Sequence, residues 1–190
     1  MKMSRTAMIL VGLLILSVQA FAGDTTLTQT QGMPQMGPPA EMKQVDYLIG
    51  TWDYSMKMKM TPEDTSWMES KGTEKYESVC GGAALFFTNI DDMGGMPFVA
   101  VGLICYDSDS KKWQKTWTDN MSAKISLYIG TSTADGSVFM GEELMNSVVY
   151  LYRMTVSKQT PTSFDWKGEM SSDNGKTWMT WCMAKYTKRK

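Results

Sequence analysis

The sequence predicts an all-β domain: about ten antiparallel strands, arranged as an up-and-down barrel or a sandwich and entered through a short N-terminal helix. Three observations carry this. After Gly50 the apolar period falls to two; turn-forming clusters recur roughly every 8–14 residues, which is hairpin spacing; and 190 residues, 43% hydrophobic and 21% charged, suffice for one core. No self-similarity at a period of about 20–50 residues points to a propeller or a solenoid.

The elements follow in chain order. Lys2 and Arg5 precede an apolar stretch from Ala7 to Val18, and Ala20-Phe21-Ala22 supplies small residues before Gly23. That is the pattern of a secretory signal, residues 1–22, cleaved after Ala22, and a periplasmic or secreted bacterial protein is expected. The apolar run is shorter than the ~20 residues a membrane helix needs, so no span is expected in the mature chain. Loss of Lys2 and Arg5 shifts the formal net charge from -1 to -3. Residues 23–40, with Thr25-Thr26-Leu27-Thr28 and Gly37-Pro38-Pro39, read as a flexible leader. The barrel domain is expected over 41–190. Met42, Val45, Leu48 and Ile49 at helical spacing open it, with Gly50 as the stop.

Trp52, Tyr54, Met56, Met58 and Met60 then alternate with Asp53, Ser55, Lys57 and Lys59, a strand with one buried face. Ile125, Leu127 and Ile129 alternate with Lys124, Ser126 and Tyr128. The sets Tyr150, Tyr152, Met154, Val156 and Phe164, Trp166 repeat the pattern. Gly81-Gly82, Asp91-Asp92-Met93-Gly94-Gly95, Ala134-Asp135-Gly136 and Asp173-Asn174-Gly175 supply turns between them.

Composition removes several function classes. With no histidine, Ser-His and Cys-His pairs, His-ligated zinc and His-ligated haem are excluded. Near-neutral charge removes the basic footprint of a nucleic-acid binder. Cys80, Cys105 and Cys182 allow three pairings of one disulfide with one thiol left over, or three small buried hydrophobes; no bond is assigned. Ser171-Ser172-Asp173-Asn174-Gly175-Lys176-Thr177-Trp178 matches an Asp-box hairpin, whose serine and aspartate hold the turn backbone. A sialidase also needs an arginine cluster, and the mature chain has only Arg153 and Arg189.

Leu48-Ile49-Gly50-Thr51-Trp52 resembles the G-x-W entry strand of lipocalins and fatty-acid-binding proteins. That likeness implies a structural indole plugging one barrel end under a cation from Lys185, Lys188 or Arg189. Together with Gly95-Met96-Pro97-Phe98, Tyr106-Asp107, Trp117-x-Asp119-Asn120-Met121, Gly130-Thr131 and the closing Tyr186-Thr187-Lys188-Arg189-Lys190, it is similar to the bacterial domain of unknown function 1579 family from about Glu41 to Lys190. The resemblance implies a lipocalin-like barrel and an exported protein. It brings no activity, cofactor or catalytic residue. The methionine load and Cys80-Gly81-Gly82 depart from the family pattern.

A barrel of this size is either filled by side chains or holds one small ligand. The expected partner is a small hydrophobic or amphipathic molecule, with Trp52, Tyr54, Met56, Met58, Trp117 and Trp166 as wall residues and Arg153 as a polar anchor; Trp113 and Tyr186 are further aromatic candidates. Glu142 shares the parity of Val138 and Met140 and is expected to point inward, within reach of Arg153. Asp119 forms either a turn or a polar site at the pocket mouth. Sixteen methionines follow Ala22; Met56 and Met58 with Trp52 suggest a soft-metal site for Cu(I) or Ag(I), and packing of an irregular interior is the plainer account. No cofactor or catalytic residue is expected, and an enzyme here would have to work with carboxylates, tyrosines or a thiolate.

Overall fold

The structure is a computed structural model that describes residues 37–61, 64–145 and 147–190. The predicted export signal and residues 23–36 of the leader lie outside the described residues. Met42, Val45 and Leu48 recur every third residue, the period at which a 3-10 helix stacks its side chains. Ala40–Leu48 forms such a helix, with Met42 and Leu48 buried, and Ile49 falls outside it. Gly50, at a φ of 122° that suits glycine, turns the chain into the first strand.

Ten strands follow: β1 (Gly50–Met58), β2 (Met68–Val79), β3 (Ala84–Asp92), β4 (Pro97–Asp107), β5 (Lys112–Asp119), β6 (Ser126–Thr133), β7 (Gly136–Met145), β8 (Val148–Ser157), β9 (Ser163–Ser171) and β10 (Met179–Lys188). Each pairs antiparallel with its sequence neighbour, and β1 pairs with β10 from Trp52 opposite Lys188 to Met58 opposite Cys182. The sheet closes on itself as a lipocalin-like barrel rather than a sandwich, so no strand keeps a free edge. No helix among the described residues is long and apolar enough to cross a membrane.

The predicted face is reversed in one strand and overlong in another. In β6 Ser126, Tyr128 and Gly130 face inward, while Leu127 and Ile129 are outside and Ile125, just before the strand, is 79% exposed. The lumen accepts polar and small groups there, so apolarity alone misreads the parity. β1 ends at Met58, and Met60 is half exposed beyond it.

Trp52 has no solvent exposure and plugs the end of the barrel next to the opening helix. Its indole N–H donates to the Leu48 carbonyl at 2.7 Å, and Phe164 packs 5.0 Å from its ring. The Lys188 ammonium sits 5.6 Å above the ring and donates to the Tyr47 carbonyl at 2.6 Å, so of the three expected cations Lys188 is the one at the plug.

Large rings fit inside because inward positions on neighbouring strands are glycine. A Cβ at Gly72 would lie 2.3 Å from the Tyr54 hydroxyl, at Gly102 2.5 Å from the Phe87 ring, at Gly130 2.5 Å from the Phe139 ring, and at Gly168 2.4 Å from the Tyr152 hydroxyl. Each ring thus lies over the wall instead of across the lumen. A Cβ at Gly102 would also lie 2.1 Å from the Thr116 backbone carbonyl of β5, so Gly102→Ala is expected to cost about 1–3 kcal/mol of stability or more through overpacking, read as a lower denaturant midpoint at unchanged m-value; an unshifted midpoint would show that both Phe87 and the β5 backbone yield freely.

Candidate functional site

The inward side chains surround a cavity of about 570 Å³, within the size range of small-molecule sites. Its lining runs from Val45 and Leu48 of the opening helix, through Ile104, Phe139 and Met154, to Met96 and Met121 beyond the opposite strand ends. Of the residues expected to bind ligand, Tyr54, Met56, Met58, Trp117 and Trp166 line this space. Trp52 and Arg153 are not among the lining residues.

Arg153 lies on the outer surface. Its Nε and Nη2 hydrogen-bond Glu169 Oε2 at 3.0 and 2.9 Å, and its guanidinium stacks 4.0 Å over Trp178. Burial raises the Glu169 pKa, and the hydrogen bonds from Arg153 and Lys167 outweigh that and bring it below its usual value. The strand parity of β8 already pointed outward, since Tyr152 and Met154 on either side are the buried residues. Trp178 belongs to the Asp-box hairpin joining β9 to β10. There Asp173 accepts from Ser171 Oγ, Thr177 N and Thr177 Oγ1, which holds its carboxyl down at about 2. The motif is structural here.

Glu142 is exposed, and Glu143 takes the inward place predicted for it. Inward on β7 are Phe139, Gly141 and Glu143, because the outward set is Met140, Glu142 and Leu144. Glu143 accepts from Tyr128 and from Lys124 near the cavity mouth. Asp119 fills both of its expected roles. It accepts backbone N–H groups of Met121 at 2.9 Å and Ser122 at 2.6 Å, and the Trp117 indole N–H at 2.9 Å, while lining the cavity.

A polar cluster deeper in the barrel escaped the sequence reading. Glu74 on β2 is 2% exposed, and its carboxylate accepts from Tyr76 at 2.5 Å, Asn89 Nδ2 at 2.9 Å and Tyr186 at 3.0 Å. The Tyr54 hydroxyl lies 2.7 Å from Asp91 Oδ2 and 2.9 Å from Asn89 Oδ1, and Ser70 donates to the same Asp91 oxygen. Asp91 Oδ1 is buried and has no hydrogen-bond partner. Burial, then the Glu74 charge, pushes the Tyr76 and Tyr186 phenols well above their ordinary pKa, so they act as hydrogen-bond donors across the physiological range.

Lys115 faces the same space from β5, between the inward Trp113 and Trp117. Its ammonium lies 4.9 Å from the Phe87 ring centroid and makes no hydrogen bond or ion pair with the described residues. Burial lowers its pKa, and the charge of Glu74 opposes that only in part. Parity with two tryptophans was the available signal for an inward lysine.

One group of methionines gathers at the end opposite Trp52. Met58, Met93 and Cys182 are buried together, with Met56, Met68 and Trp181 packed against them. Trp52 is six residues from Met58 along β1, about 20 Å at strand rise, and takes no part in the cluster. Burial pushes the Cys182 thiol up to about 12, and Cys80, Cys105 and Cys182 are all free of disulfide bonds.

The profile of a family described as "Protein of unknown function (DUF1579)" matches residues 37–188. No curated protein is similar at a significant level. Among solved structures, Rv2717c from M. tuberculosis superposes with a TM-score of 0.56 at 11% identity, covering 80% of this chain and 99% of that one. The S-type phycobiliprotein lyase CPES from Guillardia theta gives a TM-score of 0.50 at 10% identity, covering 78% and 92%. At such identities the likeness is one of fold.

An unpaired ammonium in apolar surroundings opposes folding. Because the folded pKa of Lys115 lies below the unfolded value, the unfolded chain binds more protons between the two, and stability rises with pH over that window up to the ordinary lysine value near 10.4. Lys115→Met is therefore expected to raise Tm at neutral pH by several degrees, with the gap to the parent closing as pH approaches 10. Thermal melts at stepped pH check this; a lower Tm for the variant would mean that the ammonium has a stabilising partner.

Proposed function

We propose that this chain, which belongs to the DUF1579 family of proteins of unknown function, is an exported, non-catalytic carrier that holds one small hydrophobic or amphipathic molecule inside its barrel. The cavity carries this reading. About 570 Å³ of space bounded by tryptophan, tyrosine and methionine, with a few fixed polar groups at Glu74, Lys115 and Asp119, is the make-up of a small-molecule site: apolar area for affinity and placed polar atoms for orientation. The N-terminal signal pattern supports export.

The inward carboxylates already hold protein donors, so the interior favours a ligand without strong charge. A neutral aromatic probe, N-phenyl-1-naphthylamine, is expected to bind at one saturable site with energy transfer from the cavity tryptophans. Trp117→Ala should weaken it about tenfold, ~1.4 kcal/mol, and Met154→Trp, which fills the lumen, should abolish it. Unchanged binding to both variants would place the probe outside the barrel and remove the carrier reading.

The buried grouping of Met58, Met93 and Cys182 favours a second reading, a Cu(I) or Ag(I) site of two thioethers and a thiol. Soft ligands select these ions, and Trp52 has no place in it. Titration of Cu(I) against a chromophoric chelator should show a one-to-one complex that Met58→Leu with Met93→Leu removes; retained stoichiometry in that volume-conserving double variant would discard it.

A further inference from the structure

We infer that Lys115 captures the ligand covalently, as a reversible imine with the carbonyl carbon of an apolar aldehyde held in the barrel. This inference rests on the carrier reading and specifies the chemical class of what is carried.

The charges around the cavity narrow the choice. Glu74, Asp119, Asp135 and Glu143 line it, and Asp91 is buried behind Tyr54. The cations lining it are Lys115 and Lys124, and Lys124 is paired with Glu143. A carboxylate or phosphate ligand would add negative charge to a space already in excess of it, inside a low-dielectric wall where that repulsion is poorly screened. A cationic ligand would meet carboxylates occupied by donors in the body of the barrel, three on Glu74, three on Asp119 and two on Glu143, while Asp135, with one donor from the Lys158 backbone, sits out at the β6–β7 turn. Asp91, whose Oδ1 is also unpartnered, does not line the cavity, and of the charged groups that do, the Lys115 amine is the one without a hydrogen bond or ion pair to the described residues. A neutral molecule with an electrophilic carbon satisfies it without changing the net charge of the cavity.

Lys115 has the setting of a nucleophilic amine. It stands among Phe87, Trp113 and Trp117 in a desolvated position, which raises the fraction of free amine, and desolvation is one of the recognised ways to activate a lysine. The lone pair on neutral Nζ forms the C–N bond as the carbonyl π pair moves onto oxygen. A proton passes from nitrogen to that oxygen, giving the carbinolamine. The proton that the Lys115 ammonium released to water on becoming the free amine returns to the carbinolamine hydroxyl, which leaves as water while the nitrogen lone pair forms C=N, giving an iminium. No electron is gained or lost overall, and no co-reactant is needed. The iminium carries the same single positive charge as the ammonium it replaces. The Glu74 carboxylate, fixed by Tyr76, Asn89 and Tyr186, is a counter-charge for it.

The test uses the whole purified protein with trans-cinnamaldehyde and cyanoborohydride at neutral pH. Peptide mapping by mass spectrometry locates the reduced adduct, and absorbance follows the red-shifted band of the conjugated iminium before reduction. Cinnamyl alcohol, the same skeleton without the carbonyl, reads cavity binding alone through tryptophan quenching. The expected result is an adduct at Lys115 formed at least tenfold faster than at any other lysine, suppressed by excess cinnamyl alcohol. The adduct and band should be absent in Lys115→Met, and binding of the alcohol is read on the parent protein. Labelling spread evenly over surface lysines, with the alcohol bound normally, would overturn the imine and leave the carrier reading standing. Failure of the alcohol to bind together with no preference for Lys115 would overturn both.

Discussion

The interior of this barrel depends on one steric arrangement, an aromatic ring laid over a glycine of the adjacent strand. Tyr54 over Gly72, Phe87 over Gly102 and Phe139 over Gly130 share it, with the Tyr152 hydroxyl over Gly168, and a methyl group at any of these glycines would sit inside the van der Waals envelope of the ring or its hydroxyl. Rings stacked against the wall contribute apolar contact without crossing the lumen, so a strand set this rich in aromatics stays hollow. The same placement carries hydroxyl groups sideways. Tyr54 reaches Asp91 and Tyr152 reaches Cys182 because their rings run along the sheet. Core packing, the cavity and the polar network are thus consequences of where glycine falls.

The strands and turns were legible in the sequence because they rest on local spacing, period two between turn residues, and the Trp52 plug came with the resemblance of Gly50-x-Trp52 to a lipocalin entry strand, which left its cation open among Lys185, Lys188 and Arg189. The helix type was in principle legible too, since the spacing of Met42, Val45 and Leu48 is three and the apolar Ile49 is the residue that breaks it. The cavity polarity was not. Glu74, Asn89, Lys115 and Glu143 point inward, and in β6 the apolar side chains point out. Ranking faces by apolarity presumes a dry core, and a barrel with a polar-lined space breaks that presumption. Arg153 was misplaced by treating any arginine as an anchor candidate, although Tyr152 and Met154 beside it had already claimed the inward side.

Burying Glu74 and Lys115 in one barrel has an asymmetric cost. A carboxylate that accepts three hydrogen bonds keeps much of what water gave it, and removing any one donor would leave an oxygen lone pair unsatisfied. The lysine, with a ring face as its nearest partner, recovers only the modest attraction of an ammonium for a π cloud. Glu74 therefore reads as part of the scaffold, held from three strands at once, whereas Lys115 is kept at the expense of stability. Residues that weaken a fold without repacking it are where function is expected.

Closure of the barrel joins its ends in sequence as well as in space. β1 is hydrogen-bonded to β10, and Lys188 is tied to Tyr47. During synthesis the first strand is the earliest made and the last to find its second neighbour. Until residue 188 is available, β1 is an unpaired edge and the cavity has a missing stave. Folding must wait for the whole chain, with the slow kinetics of distant pairing, and a nascent barrel short of its final strand offers that edge to any other strand nearby.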